Sequence, residues 1–143
     1  MHDIAPEVVS IADACLGGLR GRSALLVGPK EQVYPYRVLL ERAKMKYIYE
    51  EETTVRLSTI IPHVQLLISL PVPSHHGTKS LGSPLLTAAM IAKGCEGRHT
   101  PLLVFDLGPL PSVEELAGLL PTVCLYTPQD LSSILNQIEA KAS

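Results

Sequence analysis

The sequence predicts an α/β fold, a single parallel sheet of about five strands with helices on both faces. Three observations predict it. Short apolar runs alternate along the chain with stretches of helical spacing. The connections between them are short. The first run, 23–28 (SALLVG), is apolar after its serine and ends in glycine. Such a run suits a strand buried on both faces, as parallel sheets require.

The elements follow in order. Residues 5–18 place Val8, Val9, Ala12, Cys15 and Leu16 at helical spacing, with Pro6 near the start and Gly17-Gly18 at the end, which marks a helix. Residues 23–28 are the first strand. Residues 36–45 read as a helix and 46–49 (KYIY) as the second strand. Residues 54–61 are a short helix ended by Pro62, and 64–70 (VQLLISL) the third strand. A loop rich in Pro, Ser and His covers 71–83. Residues 84–93 are a helix with Pro84 in its first turn and Gly94 after its end. Residues 101–107 (PLLVFDL) are the fourth strand. Residues 112–119 read as a helix with Ser112 as N-cap and Glu115 at N3, the pattern of a capping box. Residues 122–126 are the fifth strand, and Pro128 opens a last helix over 128–141. Helix and strand in strict alternation predict a doubly wound, Rossmann-like sheet. The chain reads as a single domain over 1–143, with a leading helix within 1–20 and a trailing one within 128–143. Met1 directly before the first helix predicts that 1–143 is the whole product.

Composition narrows the function. The 143 residues are 46% hydrophobic and 18% charged, too apolar for a disordered chain. The net charge of −2 advertises no basic face for nucleic acid. No apolar run reaches the roughly 20 residues that cross a bilayer, so no membrane partner is expected. The N-terminus lacks the basic and apolar regions of a secretion signal. With no Trp and one Phe, the core is aliphatic. Cys15, Cys95 and Cys124 are odd in number and lack C-x-x-C spacing. Buried thiols in a reducing cytoplasm are the plain expectation, with Cys15 and Cys124 packed and Cys95 in a polar turn.

The turn after the first strand carries the most chemistry. In this fold it presents backbone N–H groups and a helix N-terminus to a pyrophosphate, through a G-x-G-x-x-G pattern. Here the residues are Gly28-Pro29-Lys30-Glu31-Gln32-Val33. The first glycine is present. Lys30 stands where the second lets phosphate approach the backbone, and Val33 where the third lets helix and strand pack. Pro35 would clash inside a helix, so the helix is expected to start near Tyr34 after a lengthened loop. Either Lys30 offers a charge to a phosphate, or the loop is filled and the pocket weakened or lost. Some 20 residues on, Glu50, Glu51 and Glu52 occupy the place of the acidic residue that grips ribose hydroxyls. Carboxylates there suit NAD better than NADP; a solvated acidic turn is the plain alternative.

Several phrases resemble the nucleotide-binding domain of glutamyl-tRNA reductase, over about residues 5–135. LGGLRGRSALLVG (16–28) resembles that family's lead-in to the first strand. VQLLISLPVPSHHG (64–77) resembles its third strand, with Ser69 and His75 matching. Leu70, Pro71 and Val72 replace the family's Ala-Thr-Gly. The most similar stretch is 105–131. Phe105, Asp106, Leu107, Gly118, Leu120, Pro121, Val123, Leu125, Tyr126, Asp130 and Leu131 match without a gap. The family's Pro-Arg-Asp becomes Leu110-Pro111-Ser112, which removes its arginine, and its Asn-Arg-Thr signature for NADPH becomes glutamates. The resemblance implies a tie to tetrapyrrole (haem) synthesis and a candidate cofactor-binding set of Gly28, Pro29, Lys30, Glu50, Ser69, Leu70 and Asp106. The family's catalytic domain, with its nucleophilic cysteine, and its dimerisation helices match no part of these residues. A degenerate stand-alone relative, unable to run the family reaction alone, is the expectation.

The remaining chemistry is thinner. His75-His76 lies in the loop after the third strand, where imidazoles could hold a metal or the iron of haem; an ordinary solvated pair is the alternative. His63, His99 and Cys95 are scattered. Asp106 either acts on a ligand or caps a turn. The apolar faces of residues 8–16 and of the last helix pack on the core or form a dimer seam. Three functions compete: an accessory, non-catalytic protein of tetrapyrrole synthesis, working with a partner enzyme or as a homodimer; an NAD(P)-dependent oxidoreductase subunit whose catalytic part is on another chain; and an interaction module that kept only the fold.

Overall fold

The strands β1 (Ser23–Val27), β2 (Tyr47–Glu51), β3 (Leu66–Ser69), β4 (Leu102–Asp106) and β5 (Val123–Tyr126) form one parallel sheet in a computed structural model of the chain. Residues 4–70, 86–107 and 112–142 are described. The strand order is β2-β1-β3-β4-β5. The chain leaves β1 toward β2 on one side and returns to β3 on the other. That reversal opens a crevice at the carboxyl ends of β1 and β3, where doubly wound folds bind ligands.

Sequence explains which strands sit inside. Every residue of β1, β3 and β4 is buried, matching their unbroken apolar runs. β2 and β5 are edges, and their side chains are only half covered. The sheet is packed on both faces. On one, α1 (Ala5–Leu16), α2 (Lys30–Arg42) and α5 (Pro128–Ala142) cover Ala24, Leu26, Leu66, Ile68, Leu103 and Phe105. On the other, α3 (Leu57–Ile60) and its 3-10 extension Ile61–His63 join α4 (Ala88–Gly94) and the 3-10 turn Glu115–Leu119 over Leu25, Val27, Leu67, Leu102 and Val104. α1 settles one alternative left by the sequence: Ala5, Val8 and Ala12 are fully buried in the core.

Several boundaries differ from the sequence expectation. α2 starts at Lys30, with Pro35 inside it, so the loop after β1 is two residues, Gly28 and Pro29, and is not lengthened. The carbonyl of Pro29 accepts from the amides of Gln32 and Val33, both at 3.0 Å. The early start also buries Val33 to 1% exposure. A buried valine at roughly 1.5–3 kcal/mol and two hydrogen bonds at about 1 kcal/mol each offset the cost of about 3 kcal/mol for proline in a helix interior. β2 runs through Glu51, so Glu50 and Glu51 end a strand instead of forming a turn. Pro62 lies inside the 3-10 extension. α4 starts after Thr87, whose hydroxyl accepts from the Met90 amide at 3.2 Å; Pro84 lies outside the described residues. Gly94 is the last residue of α4, and a Cβ on it would lie 2.6 Å from Cβ of Ile61.

The expected helix at 112–119 is a 3-10 turn over Glu115–Leu119 alone, and Ser112 does not cap it. The capping box instead opens α5: Thr127 Oγ1 accepts from the Asp130 amide and Asp130 Oδ2 from the Thr127 amide, both at 3.1 Å.

Candidate functional site

All seven candidate cofactor residues lie at the carboxyl edge of the sheet, in two groups. The first surrounds the turn from β1 to α2. Gly28 has φ +149°, and a Cβ there would lie 2.9 Å from Cβ of Leu70. Leu70 is 2% exposed and belongs to the core, so its side chain fills the floor beneath the glycine. The Gly28 N–H donates to the Glu51 carbonyl at 2.9 Å, and Pro29 has no N–H. Two backbone positions that would face a pyrophosphate therefore offer it nothing. Lys30, exposed, is the first residue of α2, where a cation meets the unfavourable end of the helix dipole.

A cleft of about 320 Å³ opens here, lined by Gly28, Lys30, Val33, Glu50, Glu51 and Glu52. A second, of about 390 Å³, shares Lys30 and Glu52 and adds Pro29 and Glu31. Glu50 ion-pairs with Arg37 at 3.0 Å and Glu51 with Arg56 at 3.9 Å. The carboxylate expected to grip a ribose is thus already held by α2.

The second group joins the ends of β3 and β4. Ser69 and Asp106 are partners in the ladder, fully or almost fully buried. Asp106 Oδ2 accepts from the amides of Ser112 at 2.8 Å and Val113 at 2.9 Å, and Oδ1 from the Ser112 hydroxyl at 2.7 Å. Ser69 Oγ lies 2.9 Å from Ser112 Oγ. The carboxylate holds the chain that returns toward β5, which is the capping role. Ser112, read from the sequence as a helix cap, acts here as the bridge between two strand ends. Behind Asp106 a cleft of about 210 Å³ is lined by Ile4, Leu107, Pro128, Leu131, Ser132 and Leu135.

His75 and His76 lie outside the described residues. Among the described residues no cluster of three metal-ligating side chains occurs, and no helix is long and apolar enough to cross a membrane. The cysteines depart from expectation. Cys15 and Cys124 are exposed and Cys95 is half-buried; Cys15 sits in the last turn of α1 and Cys124 lies on an edge strand. Cys15 Sγ lies 3.3 Å from the hydroxyl of Tyr126.

No family model matches the chain. Its fold superposes on glutamyl-tRNA reductase from Methanopyrus kandleri with a TM-score of 0.74, covering 94% of this chain and 37% of that one at 17% identity. Over 143 aligned positions it is 25% identical to the glutamyl-tRNA reductase of Stutzerimonas stutzeri (strain A1501), covering 92% of this chain and 34% of that protein. This chain is similar to one part of glutamyl-tRNA reductase. The protein of that name from Pseudomonas putida (strain W619) gives 26% identity over the same shares. The chain spans about a third of the length of these glutamyl-tRNA reductases.

Three features are missing from the sequence expectations. Arg37 carried no signal, because only the packing of α2 beside β2 brings it to Glu50. The Cys15–Tyr126 contact joins residues at opposite ends of the chain. The Thr127-x-x-Asp130 capping box was readable from spacing alone.

Proposed function

We propose that this chain is an accessory, non-catalytic Rossmann-like protein tied to tetrapyrrole synthesis, in which dinucleotide binding is weakened. The observation that carries the reading is the cleft beside Gly28, where Glu50, Glu51 and Glu52 line the wall with Lys30, Glu50 and Glu51 already engage Arg37 and Arg56, and the Gly28 N–H is already bonded within the sheet. Glu50 and Glu51 are largely neutralised by their arginines; in water Glu52 within about 4–8 Å of a phosphate costs roughly 0.5–1 kcal/mol, and Lys30 returns about as much. The backbone bonds that normally offset this, each worth about 1.5–3 kcal/mol to a charged acceptor, are reduced at Gly28 and Pro29. The similarity to glutamyl-tRNA reductase supports the link to tetrapyrrole synthesis, and a partner enzyme of that synthesis or a second copy of this chain is the proposed associate, in the cytoplasm.

Calorimetric titration with NADH and with NADPH tests the reading. No saturable heat is expected up to about 1 mM ligand, a bound of roughly 4 kcal/mol. Saturable micromolar binding of either, weakened at least tenfold by Lys30→Glu, overturns it in favour of an NAD(P)-dependent oxidoreductase subunit completed by another chain.

A further inference from the structure

One cluster of reactive side chains lies outside the two groups described above, on the face that carries α1. Side chains alternate along a strand. Leu103 and Phe105 of β4 belong to the core layer under α1 and α2, and their ladder partners on β5 are Cys124 and Tyr126. Cys124 and Tyr126 therefore share that face. The Tyr126 ring stacks on Phe105 with centroids 5.1 Å apart.

α1 crosses this face against the strand direction. Ile4, just before it, lines the cleft with Asp106 and Leu107 at the carboxyl edge. Its far end reaches the amino edge, where Arg22, next to the first residue of β1, donates to the carbonyls of Leu16 and Gly18 at 2.7 and 2.8 Å. Cys15 follows Ala5, Val8 and Ala12 on the sheet-facing stripe of α1 and sits in its last turn. Cys124, the second residue of β5, is nearer the amino edge than Tyr126. The bond from Cys15 Sγ to the Tyr126 hydroxyl, 3.3 Å, places the end of α1 over this part of β5. Two exposed thiols thus lie on facing elements, Cys15 in the last turn of α1 and Cys124 on the edge strand, two residues from the tyrosine that Cys15 touches.

We propose that Cys15 and Cys124 are a thiol pair that closes reversibly into a disulfide joining α1 to β5. Partial burial, and after it the charge of Cys15, push the Cys124 thiol up. The oxidant is a small disulfide such as oxidised glutathione. The Cys15 thiolate attacks it and expels one small thiolate, leaving a mixed disulfide. The Cys124 thiolate then attacks Cys15 Sγ and expels the second. Two electrons pass to the small disulfide, and the two protons from the cysteines end on the two released thiols. Cys15 exchanges its contact with Tyr126 for the new bond.

The test treats the full chain with oxidised glutathione, alkylates the free thiols and measures the intact mass. The expected product has lost the mass of two hydrogens, runs as a monomer without reductant, carries alkyl label on Cys95 alone, and melts at a higher temperature than the reduced form. In Cys124→Ser the reaction is expected to stop as a glutathione adduct on Cys15. An unchanged mass, stable adducts on both cysteines of the unsubstituted chain, or a dimer cross-linked through Cys15 would each overturn the proposal.

Discussion

Gly28 is the residue at which the two uses of this fold's first turn separate. Its position was readable in the sequence as the glycine that ends the first strand. What it does there was not, because its steric partner is Leu70, on a different strand. The missing Cβ makes room for Leu70 as well as for the backbone at φ +149°. Gly28→Ala should therefore destabilise the protein by about 1–3 kcal/mol, from backbone strain and overpacking together. Urea unfolding checks this, and a change under about 0.5 kcal/mol, the size of an ordinary surface substitution, would show that Leu70 yields freely. Asp106 has a similar history. The sequence placed it at the end of a strand beside apolar neighbours; its three bonds to Ser112 and Val113 depend on how the following chain turns back.

At the scale of elements, the sequence marked the strands better than the helix ends. Apolar runs bury wherever the sheet places them, so β1, β3 and β4 fell within the expected segments. Helix starts depend on competition. Pro35 argued for a start near Tyr34, but the burial of Val33 and the carbonyl of Pro29 extend α2 back to Lys30. Pro35 then lacks the N–H that would bond the carbonyl of Glu31. Pro35→Ala is expected to stabilise the fold by about 1–3 kcal/mol, the restored bond and relieved clash outweighing the added freedom of the unfolded chain. A higher melting temperature confirms it; a lower one would mean that the ring's restriction of the unfolded chain outweighs the missing bond. Ser112 misled for a comparable reason. Its spacing to Glu115 fits a capping box, but Asp106, six residues earlier, takes both its amide and its hydroxyl.

Across the whole molecule, the pH dependence of stability is expected to carry one alkaline feature. The hydrogen bond with Cys15, then burial and the charges of Cys15, Cys124 and Asp130, push the Tyr126 phenol up to about 12. The unfolded chain ionises this tyrosine near its ordinary value of about 10. The folded state thus holds a proton that the unfolded state releases. The stabilisation is fully present below pH 10 and is lost as pH rises toward 12, since stability falls wherever the native state binds more protons. Denaturant midpoints measured from pH 9 to 11.5 should fall more steeply for the natural chain than for Tyr126→Phe, and parallel slopes would refute the assignment.

Local pattern by itself determined that this protein is an α/β chain of five strands, that its strand interiors are aliphatic, and that a depleted glycine turn follows the first strand. Those properties follow from the periodicity and side-chain chemistry of neighbouring residues. Tertiary structure alone decided the order β2-β1-β3-β4-β5, the capture of Glu50 by Arg37, the seating of Leu70 under Gly28 and the exposure of Cys15 and Cys124. Each joins or uncovers residues far apart in the chain, and packing between elements, which no local spacing encodes, selects them.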